Sequence, residues 1–154
     1  MMPFVMAIAG IAFFSITMST HIPAEQDLQV QVQSEARINQ FRYMHKSAAI
    51  WHAASPRADG KIDAANITAN LPTGGTYNDD VVSLISGGVV YTYTQTPPNR
   101  KDVLLLGKHS LCSEMVGVTR AGNSYQPACL ATGPGVGVIP TVIPQDVLII
   151  MGPA

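Results

Sequence analysis

Residues 38–51 read INQFRYMHKSAAIW, and the apolar pattern of this stretch decides the fold. Apolar side chains recur there at steps of three and four, which places them on one face of an α-helix. The helix should end near Ser55-Pro56, because proline disfavours helical backbone in the residue before it. We expect the apolar stripe to pack on the chain's own sheet rather than on a partner protein. It consists of Ile38, Phe41, Met44, Ala48 and Trp51.

Beyond residue 88 the composition changes to β-branched and aromatic residues, which favour strands. Upstream of that point, Asn78-Asp79-Asp80 could cap a short helix over residues 81–85, and Gly87-Gly88 could end it. Pro140 and Pro144 predict an edge position for their own segment. The strand candidates are residues 89–94, 102–106, 111–119, 136–143 and 147–151. The sequence therefore predicts an α+β fold, with an amphipathic helix packed on a C-terminal antiparallel β-sheet.

The chain opens with an apolar segment, and no charged side chain precedes Glu25. Residues 1–20 would rise about 30 Å as a helix, enough to cross the hydrocarbon core of a membrane. A cleaved signal peptide should have a basic start and a small-residue cleavage site, and both are missing. A prepilin leader should carry Glu five residues after Gly10, where Ser15 stands. We therefore expect a retained anchor, with the cleaved signal and the prepilin as alternatives. Its membrane-facing residues would be Phe4, Val5, Ile8, Ile11, Phe13, Phe14 and Ile16.

These patterns predict three parts: a transmembrane anchor at residues 1–22, an amphipathic helix or stalk at residues 23–55, and a small α+β domain at residues 56–154. Cys112 and Cys129 are the two cysteines of the chain. Behind an export-like segment, such a pair favours a disulfide formed in an oxidising compartment, worth about 3 kcal/mol. Two buried reduced thiols are the alternative. The expected location is the bacterial inner membrane, with a single span and a periplasmic C-terminal domain.

Composition and spacing argue against most kinds of chemistry. The formal net charge is −1 and no Lys/Arg cluster occurs, so nucleic-acid binding is not expected. The four histidines are His21, His45, His52 and His109, and no third ligand matches the spacing that a metal site needs. His109, Cys112 and Asp102 could form a thiol triad, but a bridged sulfur is not a nucleophile. We expect no enzyme, cofactor or small-molecule substrate, with a small cysteine hydrolase as an unfavoured alternative.

Several short motifs follow the first helix in a fixed order. Phe41-Arg42-Tyr43-Met44 lies on the helix, and a turn runs from Pro56 to Gly60-Lys61-Ile62. Leu71-Pro72 and Gly87-Gly88-Val89-Val90-Tyr91 come next. With these motifs the chain resembles the PilM family of type IVB (thin) pilus systems.

That resemblance implies a non-enzymatic inner-membrane component of the pilus basal body or assembly apparatus. Such a component would dock other pilus-assembly proteins or pilins in the periplasm. The order of elements is also similar to that of a type IV pilin, which has a long N-terminal helix, a sheet and a C-terminal disulfide loop. A minor pilin incorporated into the pilus is therefore an alternative function. The oligomeric state stays open.

Overall fold

The computed structural model describes residues 2–54, 59–110, 115–129 and 135–153. Within these ranges, side chains are described from residue 26 to residue 152. Helix α1 covers Met2–Ala54 without interruption. The chain divides into two compact units, Met1–Gln33 and Ser34–Ala154. The sheet, the core and the grooves described below belong to the second unit.

The predicted transmembrane anchor is wrong. Within the described residues, no helix combines the length and the apolarity that a membrane crossing requires. A span needs about 20 consecutive, mainly apolar residues. The part of α1 whose side chains are described instead carries Asp27, then Gln29, Gln31 and Gln33, and further charged residues from Glu35 onward. The membrane exit expected at residues 21–23 is also missing, because α1 continues through it.

This finding corrects three predictions that depended on the anchor. They are the transmembrane part of the fold class, the single-span contact with a membrane, and the inner-membrane localisation with a periplasmic domain. The side chains of the predicted anchor residues lie outside the described ones; they are Phe4, Val5, Ile8, Ile11, Phe13, Phe14 and Ile16.

The second unit is an α+β fold built on a six-stranded sheet, and its strand pairs are all antiparallel. The order of strands is β1-β2-β3-β6-β4-β5, so the C-terminal strand lies in the middle of the sheet. The α+β class and the antiparallel sheet agree with the sequence prediction. The elements after α1 are β1 (Gly60–Lys61), α2 (Ala64–Thr68), β2 (Val81–Ser86), β3 (Val89–Thr94), α3 (Arg100–His109), β4 (Val116–Arg120), β5 (Ser124–Pro127) and β6 (Leu148–Pro153).

A two-residue hairpin joins β2 and β3. Gly87 and Gly88 have φ angles of 58° and 76°, a left-handed conformation that glycine adopts without steric cost. Two such residues in succession make the turn whose twist matches that of the flanking strands. This turn sets the register in which Val81 pairs with Thr94.

One face of the sheet packs against α1. Four residues of the predicted stripe, Ile38, Phe41, Met44 and Ala48, are 0% exposed. They share a core cluster with sheet residues such as Val90, and the half-buried Trp51 packs against that cluster. The stripe therefore lies in the chain's own core.

The opposite face of the sheet is covered by residues 135–147, which form neither a helix nor a strand. Ile139, Ile143 and Val147 from this segment pack on Val82 and Ile149. Because α1 covers the other face, β2 is buried on both sides along most of its length.

Three local predictions differ from the structure. Residues 81–85, predicted as a helix, form strand β2, and their apolar run does not alternate because both faces are covered. Residues 102–106, predicted as a strand, lie in α3. Residues 136–143, predicted as an edge strand, form the irregular cover, with an isolated bridge between Val136 and Tyr125.

The buried stripe predicts a large difference between neighbouring substitutions on α1. Phe41→Ala should lower the free energy of unfolding by about 3–5 kcal/mol, because it leaves a cavity in a fully buried position. Tyr43→Ala should cost less than about 1 kcal/mol, because that side chain is 47% exposed. Urea titration followed by circular dichroism measures both. Equal losses would show that Phe41 does not pack in the core.

Candidate functional site

A groove runs between α3 and the hairpin of β4 and β5, with a volume of about 560 Å³. Helix α3 buries Asp102 and Leu106 on the side away from the groove. Its other side lines the groove and includes Leu104, which is 60% exposed. An exposed leucine on a short helix beside a cavity offers apolar surface to a ligand. The lining consists of apolar residues Val103, Leu104, Val118 and Pro127, cations Arg100, Lys108 and Arg120, and Gly107, Gln126, Ala128 and Cys129.

Among the described residues that line it, the groove has three cations and no carboxylate, which makes this lining electropositive. Arg120 is already engaged: it donates to Asp146 Oδ1 at 3.0 Å and to Gln126 Oε1 at 2.8 Å. Arg100 and Lys108 differ from it. Within the described part of the chain, neither has an ion pair or a side-chain hydrogen bond.

Gly107 lets α3 approach the segment after β5 closely. A Cβ atom at this position would lie 3.2 Å from the Ala128 carbonyl oxygen and 3.3 Å from Cys129 Sγ. Cys129 is disulfide-bonded. Cys112 lies outside the described residues, so its predicted pairing with Cys129 stays a prediction.

Arg37 on α1 binds two carboxylates, one on α3 and one just before β2. Its Nη1 donates to Asp102 Oδ2 and its Nη2 to Asp80 Oδ2, each at 3.0 Å. Asp102 Oδ2 also accepts from the Asn99 backbone amide, while the Asn99 side chain accepts from the Asp102 amide. These reciprocal bonds form a capping box at the start of α3. Asp102 is fully buried, and its Oδ1 has no hydrogen-bond partner within the described residues. Among the described residues, Arg37 is the cation that pairs with this buried carboxylate.

Two arginine–aspartate pairs of equal length should differ in energy because they differ in burial. Arg37→Gln should lower the free energy of unfolding by about 3 kcal/mol, since it leaves the buried Asp102 carboxylate uncompensated. Arg120→Gln should cost less than about 1 kcal/mol, because its side chain and that of Asp146 are 45% and 67% exposed. Denaturant titration of both variants at neutral pH tests the comparison. A smaller loss for Arg37→Gln would contradict the role given to the buried pair.

His45 lies at a second cavity, of about 510 Å³, which is also lined by Arg42, Lys46 and Ile150. Its Nδ1 is 3.0 Å from Thr92 Oγ1, which lies 2.9 Å from Ser83 Oγ. Burial lowers the pKa of His45 from 6.5 to about 4, so the ring is neutral at physiological pH. Ser83 and Thr92 are both 0% exposed, and a substrate cannot reach these hydroxyls. His45, Thr92 and Ser83 therefore form a buried network of polar side chains.

The lowered pKa predicts how stability changes with pH. As the pH falls, His45 is protonated in the unfolded chain at a higher pH than in the folded chain. The stability that the neutral, buried His45 contributes is therefore complete above about pH 6.5 and is lost towards pH 4. We expect the free energy of unfolding to fall by about 2 kcal/mol over this range, allowing for partial exposure of the ring. His45→Asn keeps a polar atom near Thr92 and should flatten this slope. His109→Asn, a control at the end of α3, should keep it; equal slopes in the two variants would refute the assignment.

The other predicted chemical residues do not converge. Within the described ranges, no group of three His, Cys, Asp or Glu residues is placed to hold a metal ion. Asp102 binds Arg37 rather than His109, and His52 is buried near the end of α1. The side chain of His21 and all of Cys112 lie outside the described residues.

Sequence reasoning missed Arg37, Arg100 and Lys108, which the structure places at the cluster and the groove. A signal for the last two was present. Arg100, Leu104 and Lys108 are spaced four residues apart, which puts them on one face once the segment is recognised as a helix.

The fold and the grooves define a helix-on-sheet α+β protein with an electropositive apolar cleft. The chain matches the PilM family profile over residues 7–151 and therefore belongs to the PilM family, which confirms the resemblance seen in the sequence. It is accordingly a pilus-related protein. A crystal structure titled as that of a PilM protein from Escherichia coli B7A is similar in fold, with a TM-score of 0.56 and 20% sequence identity over 82% of this chain and 94% of that chain. A comparison of the sequence with curated proteins found no match.

Proposed function

We propose that this chain is a non-enzymatic component of a type IVB pilus assembly apparatus and that it docks other pilus subunits. The observation that carries the proposal is membership of the PilM family over residues 7–151. A docking component needs a stable fold and an accessible surface, and it needs no reactive group.

The groove beside α3 supports this proposal. It combines the exposed Leu104 with two cations that have no partner among the described residues, Arg100 and Lys108. Interfaces between proteins commonly have an apolar centre and a polar rim, and the groove has both. The buried Arg37–Asp102 pair supports the helix that carries it.

A minor pilin is the second candidate, favoured by the packing of α1 on an antiparallel sheet. Pilins have the same order of elements, with a long N-terminal helix before the sheet. The two candidates predict different locations for the protein: a minor pilin would be recovered with pili sheared from cells, whereas an assembly component would stay with the cells.

Hydrolysis through a cysteine has less support than either. The hypothesised triad of His109, Cys112 and Asp102 needs a free carboxylate, and that of Asp102 is paired with Arg37. Labelling of the native protein with iodoacetamide distinguishes the cases. A cysteine hydrolase would react without a reductant, and a bridged protein would react only after reduction.

Docking through the groove predicts position-dependent cross-linking in piliated cells. A photoreactive benzoylphenylalanine placed at Leu104 should form a covalent adduct with a pilus-assembly protein or a pilin, identified by mass spectrometry. The same group at Thr73, exposed on the loop between α2 and β2, is the matched control and should not. If no pilus protein is captured at Leu104, and deletion of the gene leaves piliation intact, the proposed function is wrong.

A further inference from the structure

The outer face of α3 presents three residues in a row. Arg100, Leu104 and Lys108 are each four positions apart, so they lie on one face of the helix and all line the groove. At 1.5 Å per residue, the two cations are about 12 Å apart along the helix axis, with the exposed leucine midway. The face therefore has a defined pattern of cation, apolar group and cation.

An extended peptide can match this pattern. In a β-strand, alternate side chains point to the same side, and residues four positions apart are about 13 Å apart. A segment with acidic residues at its first and fifth positions and a large apolar residue at its third would thus place carboxylate, apolar group and carboxylate opposite the three α3 residues. The segment thus matches the α3 face both in charge and in the spacing of its side chains.

We infer that the groove binds an extended segment of a partner protein with the pattern acid-x-apolar-x-acid, where x is any residue. This inference rests on the proposed docking function and names the chemistry of the docked segment. Each carboxylate would pair with Arg100 or Lys108, and the apolar side chain would cover Leu104. A small anion would not use the leucine or the spacing of about 12 Å, which is close to the distance between the first and fifth residues of an extended segment.

The partner segment comes from a different protein rather than from a second copy of this chain. In the whole sequence, the acidic residues four positions apart are Asp59 and Asp63 and no others. Lys61 stands midway between them, so a second copy would bring a cation to Leu104 and its two flanking cations. That placement is unfavourable, because Lys61 would lie between two like charges and would set an ammonium group, instead of an apolar side chain, against Leu104.

A synthetic peptide tests the inference with the full-length chain. The peptide carries glutamate at its third and seventh positions, leucine at its fifth, and serine or threonine elsewhere, with blocked ends and a fluorescent label. Fluorescence anisotropy should give saturable binding that weakens with salt. Replacing the leucine by serine should weaken binding about tenfold, because the buried apolar contact is lost.

Charge reversal provides the decisive comparison. The double variant Arg100→Glu and Lys108→Glu should bind the glutamate peptide about tenfold more weakly and should instead bind a peptide with lysine in place of both glutamates. The control variant, Arg42→Glu with Lys46→Glu on α1, changes net charge equally and should bind the glutamate peptide like the wild type. Matching circular dichroism spectra establish that all of the variants fold.

Three results would overturn the inference. They are no saturable binding by the wild type, equal losses in the two double variants, and a wild-type dimer in sedimentation that only the groove variant disrupts, which would make a second copy the occupant. Failure of the docking function is recognised separately. The peptide would bind as expected, while the photoreactive group at Leu104 captured no pilus protein in cells and deletion of the gene left piliation intact.

Discussion

A fully buried carboxylate, that of Asp102, must be neutralised by its surroundings, and the arrangement of α1, the sheet and α3 follows from how this is done. Arg37 extends from α1 to reach Asp102 on α3 and Asp80 at the start of β2. An arginine can do this because its planar guanidinium group donates to two carboxylates at once. The Asp102 carboxylate also forms the capping box with Asn99. Helix α3 therefore begins where Arg37 balances the charge of Asp102. The charged cluster therefore acts mainly as a geometric constraint, since burying ions contributes little net stability.

Local pattern was enough to predict those parts of the fold in which one side of an element faces solvent. Helix α1 is such an element, since its stripe is buried while Tyr43 is 47% exposed. Residues 89–94, the bounds of β3, were predicted from their β-branched and aromatic composition rather than from alternation. Where both sides are covered, the pattern loses its period. The apolar run of β2 was taken for a helix because α1 packs on one of its faces and the irregular segment 135–147 packs on the other. That second cover depends on contacts far apart in sequence, which periodicity does not record.

Two other errors concern helices, and they differ in kind. Helix α3 was detectable, since Asn99 and Asp102 have the spacing of a capping box. Its apolar run of Val103 to Leu106 pointed to a strand instead. The anchor error arose from treating an apolar opening as a membrane span and residues 21–23 as its exit, whereas α1 runs from Met2 to Ala54 without a break. Continuity of a helix across a proline could not be deduced from local preferences that disfavour it.

The groove itself was beyond sequence reasoning, because its far wall is the hairpin of β4 and β5, which reaches α3 only once β6 has entered the sheet between β3 and β4. Its near wall shows how one short helix serves two purposes. Asp102 and Leu106 lie on the buried side of α3, whereas Arg100, Leu104 and Lys108 lie roughly half a turn away. Under the proposed docking function, stability and recognition depend on separate side chains of the same ten-residue helix. Partners of the groove could therefore change through surface substitutions on α3 while the charged contact that positions the helix stays intact.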